Sequence, residues 1–328
     1  MSVPIIAFMN NKGGVGKTSL VYHIACMCSE LGVPTIASDV DPQANLSSMF
    51  IDEETLDFFW QNDQSSSTIY KALLPLINGT GDIKPPDLYE VDDNLALLRG
   101  DLALSGFEED LSMYWPLAMD GKERAFRVIS AFWRLMQKAA ELRGAKVILM
   151  DLGPNLGAIN RAAMISADYV VVPLAADLFS LQGLVNLGPT ILHWRKEWTD
   201  SISRNPAPDL QLPTASMQPV GYVVQQNYIR LDRPFQAYER WIKRIPFTYH
   251  KYMLDEEREG LVIEDDPECL DLIKHYRSLM PMAQEARKPM FALKPADGAI
   301  GSHMTAVREV YMQFKKLTET ILERTHVR

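Results

Sequence analysis

Short runs of apolar residues recur along the first two thirds of the chain. Val3–Met9 is the first of them, and a glycine-rich turn and a helical pattern over Lys17–Leu31 follow it. Nearly uninterrupted runs of this length are typical of strands that are buried on both faces of a parallel sheet. The same pattern predicts further strands at Thr35–Ser38, Asn94–Leu98, Lys146–Met150, Tyr169–Val172 and Val220–Val224.

Helical stretches lie between these strands, and the most prominent are Lys122–Leu142 and Leu181–Trp194. A strand, a helix and a second strand in this order form a βαβ unit, whose two strands are parallel. The sequence therefore predicts an α/β fold with a mostly parallel, twisted sheet and helices on both faces.

No linker of distinct composition divides the strands between residue 3 and about residue 224. Residues 61–93 carry loop chemistry in the stretches QNDQSSST and NGTGDIKPPD. We therefore expect one domain over residues 1–328, with elaborations at about 51–93 and 195–300.

The last predicted helix, at about Thr305–Leu322, has apolar residues at i, i+3, i+4 and i+7 on one face. Such a face either packs on the sheet or lies on a membrane surface. Glu309, Glu319 and Glu323 would be repelled by an anionic membrane, so we expect packing on the sheet and no membrane partner.

The overall charge limits the partners that the chain can bind. Its 328 residues include 33 basic and 42 acidic ones, for a net charge of −9. Any contact with nucleic acid must therefore come from a local basic patch. Cys26, Cys28 and Cys269 have no metal-binding spacing, no apolar run could span a membrane, and no basic segment precedes the first strand. We expect a cytoplasmic protein.

The stretch MNNKGGVGKTSL, residues 9–20, contains at 16–18 the Gly-Lys-Thr of a phosphate-binding loop. The usual pattern has a glycine where this chain has Asn11, and this loop carries a second lysine, Lys12. Backbone N–H groups of such a loop close around phosphate oxygens, while Lys17 would reach the β- and γ-phosphates and Thr18 would ligate Mg²⁺. The predicted nucleotide-binding residues are Lys12, Gly13, Gly14, Val15, Gly16, Lys17, Thr18 and Ser19.

Two further stretches place carboxylates at strand ends. SDVDPQAN, residues 38–45, follows the second strand, and VILMDLGP, residues 147–154, contains a strand that ends in Asp151. Because the carboxyl ends of parallel strands share one crevice, we expect Asp39, Asp41 and Asp151 to converge near the phosphates.

Together, the three motifs resemble the ParA/MinD family of P-loop ATPases, the group with a deviant Walker A loop. The match is strong over residues 1–190 and weaker beyond. The resemblance implies a P-loop ATPase domain and Mg²⁺-dependent hydrolysis of ATP to ADP and phosphate. In this family the first lysine of the loop crosses a dimer interface to the partner's nucleotide, so Lys12 is expected to act in trans, as an arginine finger does.

The resemblance also implies roles for the other polar residues. Lys12, Lys17 and Asp41 would be catalytic, with Asp41 orienting the attacking water. Thr18, Asp39 and Asp151 would form the Mg²⁺ site, Asp151 through a water. VVVPLAADLFSLQGL, residues 170–184, corresponds to a dimer and partner face of the family, and residues 221–246 to its base-binding region. Asn227 and Pro246 are candidates for adenine contact.

The chain is most similar to the short, Soj-like ParA branch. Its loop begins at residue 12, so we expect no helix-turn-helix domain before it. A shared iron–sulfur cluster is excluded because there is no cysteine from residue 29 to 268. A MinD-like membrane cycle is disfavoured by the lack of an anchor, and related ligases generally lack the equivalent of Lys12.

One segment is locally basic. Residues 225–251 contain six basic residues and two acidic ones, for a net charge of +4, with aromatic residues between them. The segment is either a sequence-independent DNA-binding strip or a solvated helix face with a core-facing aromatic stripe. The candidate DNA-binding residues are Arg230, Arg233, Arg240, Lys243 and Arg244.

The main hypothesis is an ATP-dependent dimerisation switch with weak ATPase activity. Its homodimer would act in DNA partition or cargo positioning, together with nonspecific DNA and a ParB-like or cargo adaptor protein, and it would associate with the nucleoid if it binds DNA. One alternative is a nucleotide-gated scaffold that positions a protein cargo without DNA. Another is a metabolic P-loop ligase, which would depend on a small carboxylate substrate.

Overall fold

A single sheet organises the molecule. The computed structural model describes residues 2–61, 67–225, 235–274, 276 and 278–327. The strands in these ranges are β1 (Ile5–Phe8), β2 (Thr35–Asp39), β3 (Tyr89–Glu90), β4 (Leu95–Leu98), β5 (Val147–Asp151), β6 (Tyr169–Ala175), β7 (Gln218–Gln225) and β8 (Cys269–Ile273). They lie in the order β3-β4-β2-β5-β1-β6-β7-β8. Neighbouring strands are parallel, except for the antiparallel pair of β3 and β4.

Helices connect most of these strands. Those described are α1 (Lys17–Glu30), α2 (Asn45–Phe50), α3 (Glu53–Gln61), α4 (Ile69–Ile77), α5 (Phe107–Met119), α6 (Glu123–Ile129), α7 (Ala131–Arg143), α8 (Ala158–Ile165), α9 (Leu178–Ile202), α10 (Phe235–Ile242), α11 (Ile245–Tyr249), α12 (Leu279–Ala286) and α13 (Ser302–Arg324). A π-helical turn, His250–Leu254, follows α11.

Helices cover both faces of the sheet, as the apolar strands predicted. Side chains alternate along β1, so Ile5 and Ala7 pack into one core and Ile6 and Phe8 pack into the other. The first core contains residues of α4 to α9 and α11, and the second contains residues of α1, α12 and α13. The predicted fold class is therefore confirmed.

The predicted helical stretch Lys122–Leu142 is confirmed, and it is divided into two helices, because α6 and α7 meet at Ser130. The hydroxyl of Ser130 donates a 2.6 Å hydrogen bond to the carbonyl of Phe126. Its backbone has φ −84° and ψ 4°, which departs from α-helical values. A serine bonded to its own helix in this way favours a bend or an end of that helix.

The interpretation of residues 61–93 as loop was too simple. Helix α4 lies within this segment, and the hydroxyl of its N-cap, Thr68, accepts a hydrogen bond from the N–H of Lys71 at 3.2 Å. The apolar residues Ile69, Ala72, Leu73 and Leu76 are buried in the first core. Residues 62–66 lie outside the described part of the chain.

The predicted last helix forms as α13 and packs on the sheet. Val310, Phe314 and Leu317 are buried in the second core, in which residues of α1 also lie. The amphipathic pattern of this helix is therefore explained by packing. Among the helices that the structure describes, none is both long enough and apolar enough to cross a membrane.

The parallel register brings three loops to one edge of the sheet. Phe8 at the end of β1 and Asp39 at the end of β2 both pair with Asp151 at the end of β5. The glycine-rich loop follows β1. Residues 40–45, called the Asp41 segment from here on, follow β2. The carboxyl edge of the sheet therefore carries all three sequence motifs.

Candidate functional site

The glycine-rich loop has a backbone that depends on two of its glycines. Gly14 and Gly16 have φ values of 73° and 76°, which is the left-handed region. A Cβ atom on Gly16 would lie 2.0 Å from Oε1 of Gln225, at the end of β7. The Nε2 atom of Gln225 donates a hydrogen bond of 2.8 Å to the Gly16 carbonyl. The loop is thus held from the side by β7, directly before α1 begins at Lys17.

Residues 12–19 of this loop line one cavity of about 480 Å³. Asp41 and Pro154 lie on its wall, and so do Met280 and Gln284 of α12. The cavity therefore combines the predicted phosphate-binding residues, a carboxylate and the first turn of α1. The free N–H groups and the dipole at that turn favour an anion.

Thr18, Lys17 and Asp151 form the inner end of the site. The Thr18 hydroxyl donates a 2.7 Å hydrogen bond to Oδ2 of Asp151. Burial raises the pKa of Asp151 to about 6, while the positive charge of buried Lys17 and the Thr18 hydrogen bond act in the opposite direction. Lys17 therefore stabilises the ionised form of a carboxylate that water does not reach.

Asp39 is fully buried and is held by Ser47. Its Oδ2 atom accepts hydrogen bonds from the N–H and the hydroxyl of Ser47, both at 2.7 Å. Burial, together with the nearby charge of Asp151, raises the pKa of Asp39 to about 8. The role of Asp39 in a Mg²⁺ shell stays a prediction, since this contact also explains why an aspartate lies here.

Asp41 lies at the cavity with little exposure to solvent. Its Oδ1 atom accepts a hydrogen bond of 3.0 Å from the N–H of Gln43, which fixes the turn after β2. An atom at the Cβ position of Gly153 would lie 3.4 Å from the same oxygen, so the segment after β5 approaches it closely. This position is consistent with contact to a water at the phosphates, although that role stays a prediction.

The donor set suits Mg²⁺ better than a metal that needs several protein ligands. Within the described ranges, no three His, Cys, Asp or Glu side chains are arranged to hold a metal ion. In the same ranges, the Oδ1 atoms of Asp39 and Asp151 are buried and have no hydrogen-bond partner. Mg²⁺ is usually bound by one or two carboxylates, waters and substrate phosphates. Thr18 and Asp151 fit such an ion, and Asp39 lies beside them.

Lys12 lies at the mouth of the loop and is paired within its own chain. Its ammonium contacts Oδ2 of Asp177, in the turn between β6 and α9. Its backbone N–H donates to Oδ1 of Asn10 at 2.9 Å. The sequence did not predict Asp177 as the partner of Lys12, although Asp177 lies in residues 170–184, for which the resemblance implied a dimer face.

Of the two candidates for adenine contact, the one that the structure describes, Pro246, is not brought to the cavity. Asn227 lies outside the described residues. Pro246 is buried in α11, whose neighbours Ile245 and Tyr249 pack in the first core, on the face of the sheet opposite α1. A second cavity of about 200 Å³ adjoins the loop. Its described lining is largely apolar and includes Gly14, Gly16, Gln225, Ile273, Tyr276, Met280, Met290 and Phe314.

The candidate DNA-binding residues are described in part. Arg230 and Arg233 lie outside the described residues, whereas Arg240, Lys243 and Arg244 are exposed on α10 and directly after it. The guanidinium carbons of Arg240 and Arg244 lie 5.0 Å and 5.3 Å from the centre of the Trp241 ring. Lys243 pairs with Glu239 at 3.5 Å. Two cations therefore surround one aromatic ring on this surface.

Residues 3–204 match the family model described as AAA domain, AAA_31. This match covers more than half of the chain and contains the glycine-rich loop, the Asp41 segment and Asp151. The chain belongs to the ParA/MinD family of P-loop ATPases.

Curated relatives of this family share moderate identity with the chain. The chromosome partitioning protein ParA of Myxococcus xanthus is 29% identical over 208 residues, which are 63% of this chain and 62% of that protein. The matched part spans about three fifths of the length of the first relatives.

Solved structures share the ParA/MinD fold over almost all of the chain. A putative plasmid partition protein of Borrelia burgdorferi, bound to AMPPNP, has a TM-score of 0.58 at 17% identity and covers 98% of this chain and 99% of its own. An McdA–ATP complex from Cyanothece has a TM-score of 0.62 at 14% identity, covering 100% and 98%. At these identities the likeness concerns the fold.

Proposed function

We propose that this chain is an ATP-dependent dimerisation switch with weak, Mg²⁺-dependent ATPase activity. The observation that carries the proposal is the cavity of about 480 Å³ that Lys12, Lys17, Thr18 and Asp41 line together. Phosphate binding alone would need the loop and Lys17. A second lysine at the mouth of the same cavity is explained by a role toward another copy of the chain.

The residues of one copy would bind and orient the nucleotide. The loop N–H groups and Lys17 hold the β- and γ-phosphates, and the apolar cavity beside Gly14 accepts the base. Thr18 and Asp151 hold Mg²⁺, which would offset phosphate charge when it is bound. Asp41, at the wall of the cavity, orients the attacking water, and the closed dimer excludes bulk water from the site.

The second copy would supply Lys12. A cation that arrives in trans stabilises the charge that develops on the transferred phosphoryl group, so hydrolysis depends on assembly. Hydrolysis then weakens the contacts between the copies and resets the switch.

The biological task would be DNA partition or the positioning of a cargo. Relatives named for chromosome partitioning support this proposal, as does the pair of exposed arginines at Trp241. Nonspecific DNA and a ParB-like or cargo adaptor protein would be the partners. We also propose that residues 1–328 form one P-loop ATPase domain, with elaborations at about 51–93 and 195–300.

The test combines mass measurement with turnover. The purified chain, with ATP and Mg²⁺, is examined by light scattering coupled to size exclusion, and phosphate release is followed with and without nonspecific DNA. We expect ATP-dependent dimers and slow hydrolysis that DNA accelerates. Dimers without any phosphate release would favour a scaffold, and turnover that requires a small carboxylate would favour a ligase. Monomers under all conditions would contradict the proposal.

A further inference from the structure

Asp177 uses its two carboxylate oxygens for different contacts. Oδ1 accepts a hydrogen bond from the N–H of Ser180 at 2.9 Å and caps the start of α9. Oδ2 binds the ammonium of Lys12. The side chains of Lys12 and Asp177 are 25% and 26% exposed, so the ion pair is partly shielded from water. The cap fixes the carboxylate, and the fixed carboxylate determines where Lys12 points.

The backbone around Lys12 is also attached to this side of the molecule. The side-chain amide of Asn10 donates a 2.6 Å hydrogen bond to the carbonyl of Pro173 in β6 and accepts one from the N–H of Lys12. A Cβ atom on Gly183 of α9 would lie 2.7 Å from Oδ1 of Asn11. The front of the phosphate loop therefore rests directly on the first turns of α9.

We propose that Asp177 is a positioning residue that holds Lys12 within its own chain until ATP is bound and a second copy docks. The inference rests on the proposed function, since it assumes that Lys12 acts on the partner's nucleotide. In this proposal, the ammonium leaves Asp177 when it contacts phosphates held by another copy. The triphosphate carries more negative charge than one carboxylate, so bound nucleotide favours the exchange.

The same turn carries the surface that a second copy would cover. Leu178 and Phe179 follow Asp177 directly and are 49% and 71% exposed. Release of Lys12 and burial of these two apolar side chains would therefore occur at one place. The ion pair therefore raises the ATP concentration that dimerisation needs, because contacts with the second copy must first replace the pair.

Asp177→Asn tests the effect of the ion pair on dimerisation and keeps the helix cap. Asparagine keeps an acceptor oxygen for the Ser180 N–H and removes the charge that binds Lys12. We expect the ATP concentration for half-maximal dimerisation to fall about threefold to tenfold, the range that corresponds to one partly shielded ion pair. The matched control is Asp200→Asn, with the same charge change at an exposed position about 35 Å along the same helix. This control should dimerise as the wild type does.

A double variant separates this inference from simple charge removal. Lys12→Ala/Asp177→Asn should dimerise as poorly as Lys12→Ala, because the effect of Asp177 passes through Lys12. If Asp177→Asn strengthens the dimer in the Lys12→Ala background too, or has no effect or the opposite effect in the wild type, Asp177 does not hold Lys12. Wild-type dimerisation by Lys12→Ala alone would overturn the proposed function itself, and the inference with it.

Discussion

The hydroxyl of Thr18 donates a hydrogen bond of 2.7 Å to Oδ2 of Asp151, and this contact joins the first turn of α1 to the end of β5. Two of the three groups that are expected to hold Mg²⁺ are therefore already together. The other oxygen of Asp151 is buried and has no hydrogen-bond partner among the described residues. An unpaired buried acceptor costs free energy, which a metal-bound water could recover. The site is in this sense arranged in advance for a hydrated ion.

Asp41→Ala should bind ATP and Mg²⁺ but hydrolyse ATP more slowly, on the order of 10²–10⁴-fold, as when a general base is lost. Lys17, Thr18 and the loop backbone remain, so affinity should change little. Because the damaged step follows assembly, the variant should accumulate as a dimer. Phosphate release and light scattering with ATP measure both effects. Asp209→Ala, at an exposed position, is the control. Normal turnover by Asp41→Ala would show that another residue orients the attacking water.

Gly16 and Gly14 offer a matched pair of substitutions. Both have positive φ, so alanine at either should cost about 1–2 kcal/mol of unfolding free energy. No described atom lies within 4 Å of a Cβ on Gly14, whereas a Cβ on Gly16 meets the Gln225 side chain. Gly16→Ala should therefore cost about 1 kcal/mol more, because Gln225 must give up its hydrogen bond to the Gly16 carbonyl.

Urea unfolding of a double-mutant cycle isolates this contact. In a Gln225→Ala background, Gly16→Ala should cost no more than Gly14→Ala does, because the contact is already absent. An excess cost for Gly16→Ala that persists without the Gln225 side chain would show that the loop itself, rather than β7, is responsible.

The central strands of the sheet were predictable from the sequence, whereas its two edge strands, β3 and β8, were not. β5 and β6 are apolar runs with both faces buried, so composition alone reveals them. β8 has Asp271 in its middle and is partly exposed at the edge of the sheet, so its apolar signal is weak. β3 has two residues, which is too short for any periodicity.

In the candidate site, the motifs were predictable and their supporting contacts were not. Lys12 and Asp177 are 165 residues apart, Gly16 and Gln225 are 209 apart, and His23 and Met290 are 267 apart. Each motif is a local pattern of residue types, so one sequence displays it. A contact between distant residues depends on the sheet order and on helix positions, which no local pattern contains.

The contribution of His23 in α1 to stability should fall in mild acid. Its Nδ1 atom lies 2.7 Å from the Ser19 carbonyl and its Nε2 atom 3.1 Å from the N–H of Met290, so the neutral ring donates at one nitrogen and accepts at the other. Complete burial lowers the pKa of His23 from 6.5 to about 4, and the hydrogen bond to Ser19 only partly opposes this. Protonation would put a second N–H against that of Met290.

The direction of this pH dependence follows from the difference in proton binding between the unfolded and the folded chain. The unfolded chain protonates His23 near pH 6.5 and the folded chain near pH 4, so the contribution is complete above pH 6.5 and is lost as the pH falls toward 4. Between pH 7 and 5 the loss should be on the order of 2 kcal/mol. Urea unfolding of wild type and His23→Phe across this range measures it as a difference, since other titrating groups are common to both. A constant difference between the two proteins would contradict the prediction.

Arg240 and Arg244 should contribute more to DNA binding than Lys243 does. The arginines lie over the Trp241 ring, whereas Lys243 is paired with Glu239. Alanine at either arginine should lower the salt slope of nonspecific binding by about one for each phosphate that the guanidinium neutralises, with similar effects on all sequences. Titrations of the ATP-bound protein with labelled duplexes at several salt concentrations give the slopes. Arg308→Ala, at an exposed position of α13, is the control. If all variants have the same salt slope, this surface is not the DNA-binding site.

Lys12→Ala distinguishes a family-type dimer from a P-loop that works within one subunit. A lysine that is only a surface charge contributes about 0–1 kcal/mol, so its loss would leave dimerisation and turnover almost unchanged. If Lys12 acts across the interface, the variant should bind ATP as a monomer, because Lys17 and the loop N–H groups remain. It should fail to form the ATP-bound dimer, and hydrolysis should fall on the order of 10³-fold or more, as with removal of an arginine finger.

Mixing two inactive variants tests the trans arrangement directly. Lys17→Ala should not bind nucleotide, because it loses a buried charge on the phosphates, yet it keeps Lys12. A heterodimer of Lys12→Ala and Lys17→Ala would join an intact loop of one chain to the intact Lys12 of the other, which completes one site of two. Phosphate release should therefore reappear in the mixture, while a mixture of Lys12→Ala with the double variant Lys12→Ala/Lys17→Ala should stay inactive. A lysine that acts only within its own subunit would leave both mixtures inactive, because neither variant then carries a complete site.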